Sequence, residues 1–171
     1  MQETVDRPTR VSDPKPTTFD AWYRATWPGL VAYLRVVLRD GHDAEDVATD
    51  ALVKAFQRWD DGSLDSPTTW VFTVATNAGR RRLGRLGRAT PVADPPDRPD
   101  RRTAVGWDPD LVAAIRTLPN RQRTAIALRY VADLSQADIA AAMGVAPGTV
   151  AALLHQARTN LRQTLGGPDH G

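Results

Sequence analysis

The chain of 171 residues contains no cysteine, only two lysines and no long apolar run. Without cysteine there can be no disulfide, no thiolate zinc site and no cysteine nucleophile. No apolar run approaches the roughly 20 residues that a bilayer-spanning helix requires. The first residues, MQETVDRPTRVSDPKP, are polar and lack the apolar core of a signal peptide. These absences predict a cytoplasmic protein with no membrane insertion.

The sequence also lacks the alternating apolar and polar residues, with hairpin signals, that predict β-strands. Apolar residues recur instead at helical spacing on both sides of a proline-rich segment, residues 89–109. We therefore expect an all-α chain of two small helical domains, residues 19–88 and 110–166, joined by an extended linker. A disordered N-terminal tail over residues 1–18 and a short tail over residues 167–171 complete the expected organisation.

Charge is unevenly distributed along the chain, although the net charge is only +2. Residues 19–62 carry five positive and eight negative side chains, whereas residues 63–88 carry five arginines and one aspartate. Arginine accounts for 20 of the 22 basic residues, and its planar guanidinium suits bidentate contacts to phosphate or bases. An acidic segment followed by a basic one predicts two different contact surfaces in the first domain.

The acidic segment is expected to be helical. The apolar stretch that precedes the acidic segment contains Pro28. This proline should divide the stretch into two helices, because proline removes an internal backbone donor. Asp43 is a good N-cap for the next helix, whose apolar positions from Ala44 to Trp59, Phe56 among them, predict one continuous buried stripe. Its opposite face carries Glu45, Asp46, Thr49, Asp50, Lys54 and Gln57. The three carboxylates fit a docking surface for a basic partner, a solvated face with helix-dipole support, or a metal or acid–base cluster.

The basic segment follows a third helix start at Ser66-Pro67, where a cap precedes proline at the first helical position. Five arginines then fall within nine residues: Arg80, Arg81, Arg82, Arg85 and Arg88. This density, beside aromatic residues, fits contact with a phosphate backbone better than a simple solvated face. Glycines at positions 79, 84 and 87 predict that the helix frays across the run.

In the second domain, residues 134–165 predict two helices joined by a turn at Gly144. Four helix starts are signalled by caps or prolines: Asp108-Pro109, Pro119, Ser135 and Pro147. A helix, a glycine turn and a second helix at this spacing are typical of a helix-turn-helix. The pattern indicates DNA binding, and a helical hairpin that touches no DNA is the alternative.

Three segments together resemble a bacterial extracytoplasmic-function sigma factor of the sigma-70 family, the two-domain type built of regions 2 and 4. They are DAEDVATDALVKAF (43–56), WVFTVATNAGRRR (70–82) and LPNRQRTAIALRYVADLSQADIAAAMGVAPGTV (118–150). Motifs in this order across a proline-rich linker are far more specific than a helix-turn-helix alone. The resemblance implies a nucleoid-associated subunit of RNA polymerase that recognises promoters and promotes DNA melting. It implies no cofactor, no metal and no catalysis.

The resemblance also implies partners and site residues. The helix over residues 43–56 would dock on the clamp helices of the polymerase β′ subunit, through Glu45, Asp46, Asp50 and Lys54. Promoter DNA, both double-stranded and melted, is the second implied partner, and the non-template strand of the −10 element would be held by Asn77, Arg80, Arg81, Arg82 and Arg85. The −35 DNA would be contacted by Arg121, Arg123, Thr149, Ala151, Ala152, Leu153, His155, Gln156 and Arg158. An anti-sigma factor is a further partner that is common in the family.

Several positions depart from the family pattern. The second helix of the motif usually begins with Ser and continues with Lys, Ser and Arg, with a further Arg later. Here those places hold Ala146, Ala151, Ala152, Leu153 and Gln156. Loss of the serine removes an N-cap worth about 1 kcal/mol, and loss of the basic residues removes phosphate contacts. Conversely, an aspartate that is common four residues after Asn77 is Arg81 here.

Three classes of function follow from these features. A sigma factor accounts for both domains and for their order. A degenerate sigma-like protein, which binds polymerase or another regulator without −35 DNA, is favoured by the weak recognition helix. A hydrolase built on Glu45, Asp46 and Asp50 is poorly supported, because no nucleophile or oxyanion partner lies at a readable spacing.

Overall fold

The computed structural model describes residues 18–86 and 106–166, and the regular structure in these ranges is entirely α-helical. This confirms the predicted all-α class. The seven helices are α1 (Phe19–Leu38), α2 (Gly41–Gln57), α3 (Pro67–Leu86), α4 (Pro109–Thr117), α5 (Asn120–Tyr130), α6 (Gln136–Met143) and α7 (Pro147–Leu165). The predicted tails, except Thr18, and nearly all of the predicted linker lie outside the described residues.

Helix α1 is continuous, so the predicted division at Pro28 is wrong. The helix begins after Thr18, whose hydroxyl accepts a hydrogen bond from a first-turn amide, and it ends before Arg39, which has a φ of 61°. Pro28 lies on the exposed side of the helix, while the turns before and after it bury Trp22 and Leu30 in the same core. This shared burial offsets the roughly 3 kcal/mol that a proline inside a helix costs.

Helix α2 begins three residues earlier than predicted, because Asp40 rather than Asp43 is its N-cap. The Asp40 carboxylate accepts hydrogen bonds from the amides of His42 and Asp43, at 2.8 and 3.1 Å. The helix packs on α1, and small residues dominate its buried face: Ala44, Ala48, Ala51 and Ala55. Side chains of this size let two helix axes approach closely.

Helix α3 begins at Pro67 as predicted, but it stays helical through Leu86. The predicted fraying at residues 79 and 84 is therefore wrong, and residues 87 and 88 lie outside the described ranges. Gly79 is buried against α1, where an added Cβ would lie 3.5 Å from Cδ2 of Leu38. The glycine thus places the α3 backbone close to α1, and packing against α1 offsets its low helix propensity.

Two side-chain hydrogen bonds connect α1 to α3. Trp22 Nε1 donates to Thr68 Oγ1 at 3.0 Å, and the hydroxyls of Tyr33 and Thr76 lie 2.8 Å apart. Burial raises the pKa of Tyr33 above its ordinary value, so the buried pair remains uncharged. The orientation of α3 is therefore fixed by polar contacts as well as by apolar packing.

Helices α4 to α7 form a second unit that contains the predicted helix-turn-helix. Asp108 and Ser135 are N-caps as predicted, and they accept hydrogen bonds from the amides of Asp110 and Asp138 at 2.9 and 3.1 Å. Gly144, with a φ of 65°, ends α6. Helices α6 and α7 meet at 101°, an angle typical of a helix-turn-helix.

The two helical units pack directly against each other. Helix α6 lies along α3, while α4 and α5 lie against α1. Across this contact Thr69 Oγ1 donates to Asp138 Oδ1 at 3.2 Å. The guanidinium of Arg39 donates to the backbone carbonyl of Arg116. The buried apolar residues of both units form one continuous core.

Candidate polymerase and nucleic-acid interfaces

The outward face of α2 presents the predicted charges to solvent. Its exposed charged residues are Glu45, Asp46, Asp50 and Lys54. The Glu45 carboxylate accepts a hydrogen bond from Arg35 of α1 at 2.7 Å, and Asp46 lies 3.8 Å from His42. Glu45 is therefore anchored by α1, while its side chain still reaches solvent. The face is acidic overall and is available to a basic partner.

Two apolar side chains share this acidic face, and the sequence did not predict their exposure. Phe56 is 62% exposed and Val53 is 49% exposed, so the prediction that Phe56 belongs to the buried stripe is wrong. The core side of α2 is centred on its alanines, and at 100° per residue Phe56 lies about 100° from that centre. Its ring meets only the edge of the core, with its centroid 5.0 Å from that of Phe19. The face thus combines carboxylates with an apolar patch.

Helix α3 carries the basic run, but its arginines are not equivalent. Arg81 and Arg85 are exposed. Arg80 is also exposed, and its guanidinium donates to Asn77 Oδ1 at 3.3 Å. Arg82 instead donates to the carboxylate of Asp43 in the first turn of α2. This hydrogen bond joins α3 to α2, so Arg82 does not extend freely into solvent, and the same bond raises the pKa of Arg82.

One side of α3 borders a cleft between the two units. The cleft has a volume of about 540 Å³, and Asn77 and Arg80 line it together with Asn120 and Arg121 of α5 and Met143 of α6. Residues predicted to contact −10 DNA and a residue predicted to contact −35 DNA therefore lie in the same cleft. The sequence could not indicate this proximity, because they are separated by the linker.

Helix α7 is the second helix of the helix-turn-helix. Its exposed predicted residues are Ala151, Ala152, His155, Gln156 and Arg158, while Thr149 and Leu153 are half-buried. Its N-cap position is Ala146, which has no side-chain cap hydrogen bond. Arg158 Nε donates to the Tyr130 hydroxyl at 3.0 Å. The outward face is therefore largely neutral.

The prediction that Arg123 contacts DNA is wrong, because this residue is buried. Its side chain is only 1% exposed, and it donates to the carbonyls of Arg116 and Leu118 at 3.3 and 3.1 Å and to Asn120 Oδ1. Burial lowers its pKa to about 10, and the nearby Arg39 and Arg116 add to the effect. Arg123 holds the α4–α5 junction and does not reach the surface. Arg121, two residues earlier, is exposed.

Two further observations concern metals and membranes. Within residues 18–86 and 106–166, no group of three or more His, Cys, Asp or Glu side chains could hold a metal ion. In the same two ranges, no single helix is long and apolar enough to span a bilayer. Among the described helices, the pair α6 and α7 reaches that length and composition when taken together, and the pair is bent by 101°.

The matches to known protein families explain why the helices α1 to α7 occur in this order. Residues 15–89 match the family profile "Sigma-70 region 2", and residues 110–161 match "Sigma-70, region 4". The chain belongs to the sigma-70 family. Region 2 is therefore α1 to α3, and region 4 is α4 to α7, which includes the helix-turn-helix.

Individual relatives agree with this assignment. ECF RNA polymerase sigma factor SigE of Mycolicibacterium smegmatis is 32% identical over 138 residues, and the match covers 72% of this chain and 52% of the relative. RNA polymerase sigma-E factor of Streptomyces avermitilis is 29% identical over 151 residues, covering 86% and 84%. This chain thus spans about half the length of the first relative and most of the second.

A solved structure extends the similarity to the arrangement of the helices. The sigma factor RpoE of Bartonella quintana, crystallised with the anti-sigma factor NepR, is 27% identical to this chain. Its fold matches with a TM-score of 0.70, over 88% of this chain and 98% of that one.

Proposed function

We propose that this chain is an extracytoplasmic-function sigma factor, which brings core RNA polymerase to promoters and opens the DNA without catalysing a reaction. The observation that carries the proposal is a division of charge within region 2. Helices α2 and α3 pack on the same helix α1, and they present an acidic surface and a basic surface to solvent. A protein that joins a basic polymerase surface to a DNA strand requires an acidic surface for the polymerase and a basic surface for the DNA.

The outward face of α2 is the proposed polymerase contact. Asp46, Asp50 and Glu45 supply the negative charge, with Lys54 at the edge. Val53 and Phe56 supply apolar area in the middle of that charge. Exposed aromatic residues surrounded by polar groups are typical centres of protein interfaces. We therefore add Val53 and Phe56 to the polymerase-binding residues.

The exposed part of α3 is the proposed contact with the −10 element. Arg81 and Arg85 can neutralise phosphates of a single strand. Asn77 and Arg80 offer hydrogen-bonding groups to a base turned out of the stack. Arg82 contributes less than the sequence predicts, because Asp43 already accepts its hydrogen bond.

Helix α7 is the proposed contact with the −35 element, with Arg121 of α5 as a phosphate contact. Ala151 and Ala152 can touch thymine methyl groups, and Gln156 can hydrogen-bond to a base. Few cations reach this surface, so the intrinsic DNA affinity of region 4 is expected to be low. Tethering region 4 to polymerase raises its effective concentration at the promoter without any new contact.

Organisation and partners follow from the same proposal. Residues 19–88 and 110–166 act as two domains, and the linker over residues 89–109 runs toward the RNA exit path of polymerase. The chain works in the cytoplasm, at the nucleoid. An anti-sigma factor is a proposed partner, which is supported by the complex formed by the Bartonella quintana relative.

A reconstituted transcription assay tests the proposal. Core polymerase is mixed with fragments of the source genome, with and without the chain, and transcript 5′ ends are mapped. We expect a defined set of starts that requires the chain and that shares −10 and −35 sequences.

The second candidate, a sigma-like protein that binds polymerase but not −35 DNA, is favoured by one observation. The outward face of α7 is largely neutral, and its N-cap is missing. Core binding without specific starts, or starts that share only a −10 sequence, would favour this candidate. Absence of core binding would contradict both.

A further inference from the structure

The cleft between regions 2 and 4 has the size of a small-molecule site. Its volume is about 540 Å³, within the roughly 300–1,000 Å³ of pockets that enclose small ligands. One wall comes from α1 and α3, and the other comes from α5 and the α6–α7 turn. A pocket of this volume can take one small molecule, whereas a partner helix needs a longer groove.

The charged side chains of the cleft are both positive. Arg80 of α3 and Arg121 of α5 line it, and among the described residues no aspartate or glutamate does so. Both arginines are exposed, and each region contributes one. A phosphate monoester carries about −1.5 to −2 charges near neutral pH, and arginine binds phosphate through paired hydrogen bonds. The charge of the cleft therefore matches one phosphate monoester.

Apolar side chains form another part of the cleft. They are Val37 of α1, Leu83 of α3, Met143 of α6 and Val145 of the α6–α7 turn. Inorganic phosphate would leave this apolar surface in contact with water, whereas a ligand with a flat ring would cover it. The thioether of a methionine also makes favourable contacts with aromatic rings. We therefore expect the ligand to combine a phosphate with an aromatic ring.

Two asparagines give the cleft a preference for one kind of ring. Asn77 Oδ1 accepts a hydrogen bond from Arg80 at 3.3 Å, and Asn120 Oδ1 accepts one from Arg123. The amide nitrogen of each asparagine is then the atom that can donate to a ligand. Guanine presents two acceptors, O6 and N7, on one edge, whereas adenine presents an amino group that needs an acceptor. The asparagines therefore favour guanine over adenine.

We propose that this cleft is a binding site for a nucleoside monophosphate, with guanine as the preferred base. The phosphate is held by Arg80 and Arg121, and the base is held by the apolar side chains and the two asparagines. This site does not depend on the proposed function. One consequence does depend on it: Asn77 and Arg80 are also proposed to hold the −10 strand, so the nucleotide and the strand would compete for them.

A DNA strand also contains phosphates and bases, but its chemistry matches the cleft less well. Each phosphate within a strand is a diester with one negative charge, which one of the two arginines is enough to neutralise. A terminal monoester engages both arginines. The charge of the cleft therefore favours a free nucleotide over a nucleotide within a strand.

Isothermal titration calorimetry of the full natural chain tests the inference with four probes: guanosine monophosphate (GMP), adenosine monophosphate (AMP), guanosine and inorganic phosphate. We expect one GMP to bind per chain, and AMP to bind about tenfold or more weakly, as for the loss of one pair of base contacts. Guanosine and inorganic phosphate should each also bind about tenfold or more weakly than GMP, because each lacks half of the contacts. Absence of GMP binding, or binding of AMP or inorganic phosphate as tight as that of GMP, would overturn the inference.

Substitutions in both regions locate the site. Arg80→Ala and Arg121→Ala should each weaken GMP binding about tenfold or more, because each removes a charged hydrogen bond. Arg162→Ala is the matched control, since Arg162 is exposed on α7 and lies outside the cleft, and it should bind GMP normally. Circular dichroism verifies that all three variants are folded. GMP affinity that survives both substitutions in the cleft would place the nucleotide elsewhere and contradict the proposal.

Asn120→Asp is a further variant, chosen to preserve the fold. Its carboxylate can still accept the hydrogen bond from Arg123, but it lacks the amide donor and repels a phosphate. We expect GMP binding to fall at least about tenfold, with no loss of thermal stability. Normal GMP binding by this variant would also contradict the proposal.

A competition experiment separates failure of this inference from failure of the proposed function. Fluorescence anisotropy measures the binding of a −10 single strand to the full chain with and without GMP, and GMP should displace the strand. If GMP binds through both arginines but leaves strand binding unchanged, the nucleotide site is supported and the proposed role of Asn77 and Arg80 in −10 binding fails. A strand that binds where GMP does not would show that the cleft takes a nucleotide only within a strand, and the inference would be overturned.

Discussion

Arg82 on α3 donates a hydrogen bond to the carboxylate of Asp43 on α2, whereas Arg81 beside it extends into solvent. The two arginines are adjacent in the sequence, but one connects two helices and the other is free to meet a phosphate. The basic run is therefore a mixed surface, and its members should respond differently to substitution.

The first prediction uses this pair. Arg81→Ala should reduce the slope of log affinity against log salt concentration by roughly 1, because one phosphate contact is lost. Arg82→Ala should leave that slope unchanged and lower the thermal stability of the chain. The measurement is fluorescence anisotropy of a −10 single strand with the polymerase complex at several salt concentrations. Equal loss of slope in both variants would show that Arg82 also contacts DNA.

A second prediction concerns Arg123 and Arg121. Arg123→Lys cannot reproduce the hydrogen bonds to the Arg116 and Leu118 carbonyls. Leaving buried carbonyls unsatisfied should lower the free energy of unfolding by about 1–3 kcal/mol. Arg121→Lys, at an exposed position, should leave it unchanged. Urea unfolding followed by circular dichroism measures both variants, and equal stability would contradict the structural role of Arg123.

A third prediction concerns the polymerase-binding face of α2. Asp46→Lys and Asp50→Lys should weaken core binding, and Phe56→Ala should weaken it by about tenfold or more, as expected for an aromatic residue at an interface centre. Helicity should stay the same, because all three side chains are exposed. Asp20→Lys, an exposed carboxylate on α1, is the control and should bind normally. Unaltered core affinity in all three variants would refute this assignment of the face.

A fourth prediction concerns α7. Ala151→Lys together with Ala152→Lys should raise the affinity of the full chain for −35 duplex DNA and steepen its salt dependence by roughly 2. Gln163→Lys, near the other end of the helix, should change neither. Separately, Ala146→Ser should stabilise the chain by about 1 kcal/mol by restoring the N-cap. Tight, sequence-specific binding of −35 duplex DNA by the unaltered chain would contradict the prediction, because α7 would then suffice for this binding without added lysines.

Features set by neighbouring residues could be predicted from the sequence. The caps at Asp108 and Ser135, the turn at Gly144 and the helix start at Pro147 all follow from local chemistry, and each is confirmed. The all-α class and the division into regions 2 and 4 could also be predicted from the sequence. Each cap, turn and helix start depends on residues that lie within a few positions of one another, so it can be read from the sequence alone.

Features set by distant residues could not be predicted. Helix α1 continues through Pro28 because both halves share one core, and Arg123 is buried because α4 and α5 meet around it. The exposure of Phe56 depends on where the core ends. The contact between Thr69 and Asp138 joins residues 69 positions apart. The spacing of residues along the sequence does not indicate which distant residues come into contact in the fold.

The most direct measurement for the central proposal is permanganate footprinting of promoter DNA with reconstituted polymerase. Core polymerase with the natural chain should make thymines at the −10 element reactive, and core polymerase alone should not. Asp50→Lys should abolish the signal at limiting concentration of the chain, and Arg81→Ala should reduce it. Reactivity that does not require the chain, or that both variants leave unchanged, would contradict the account.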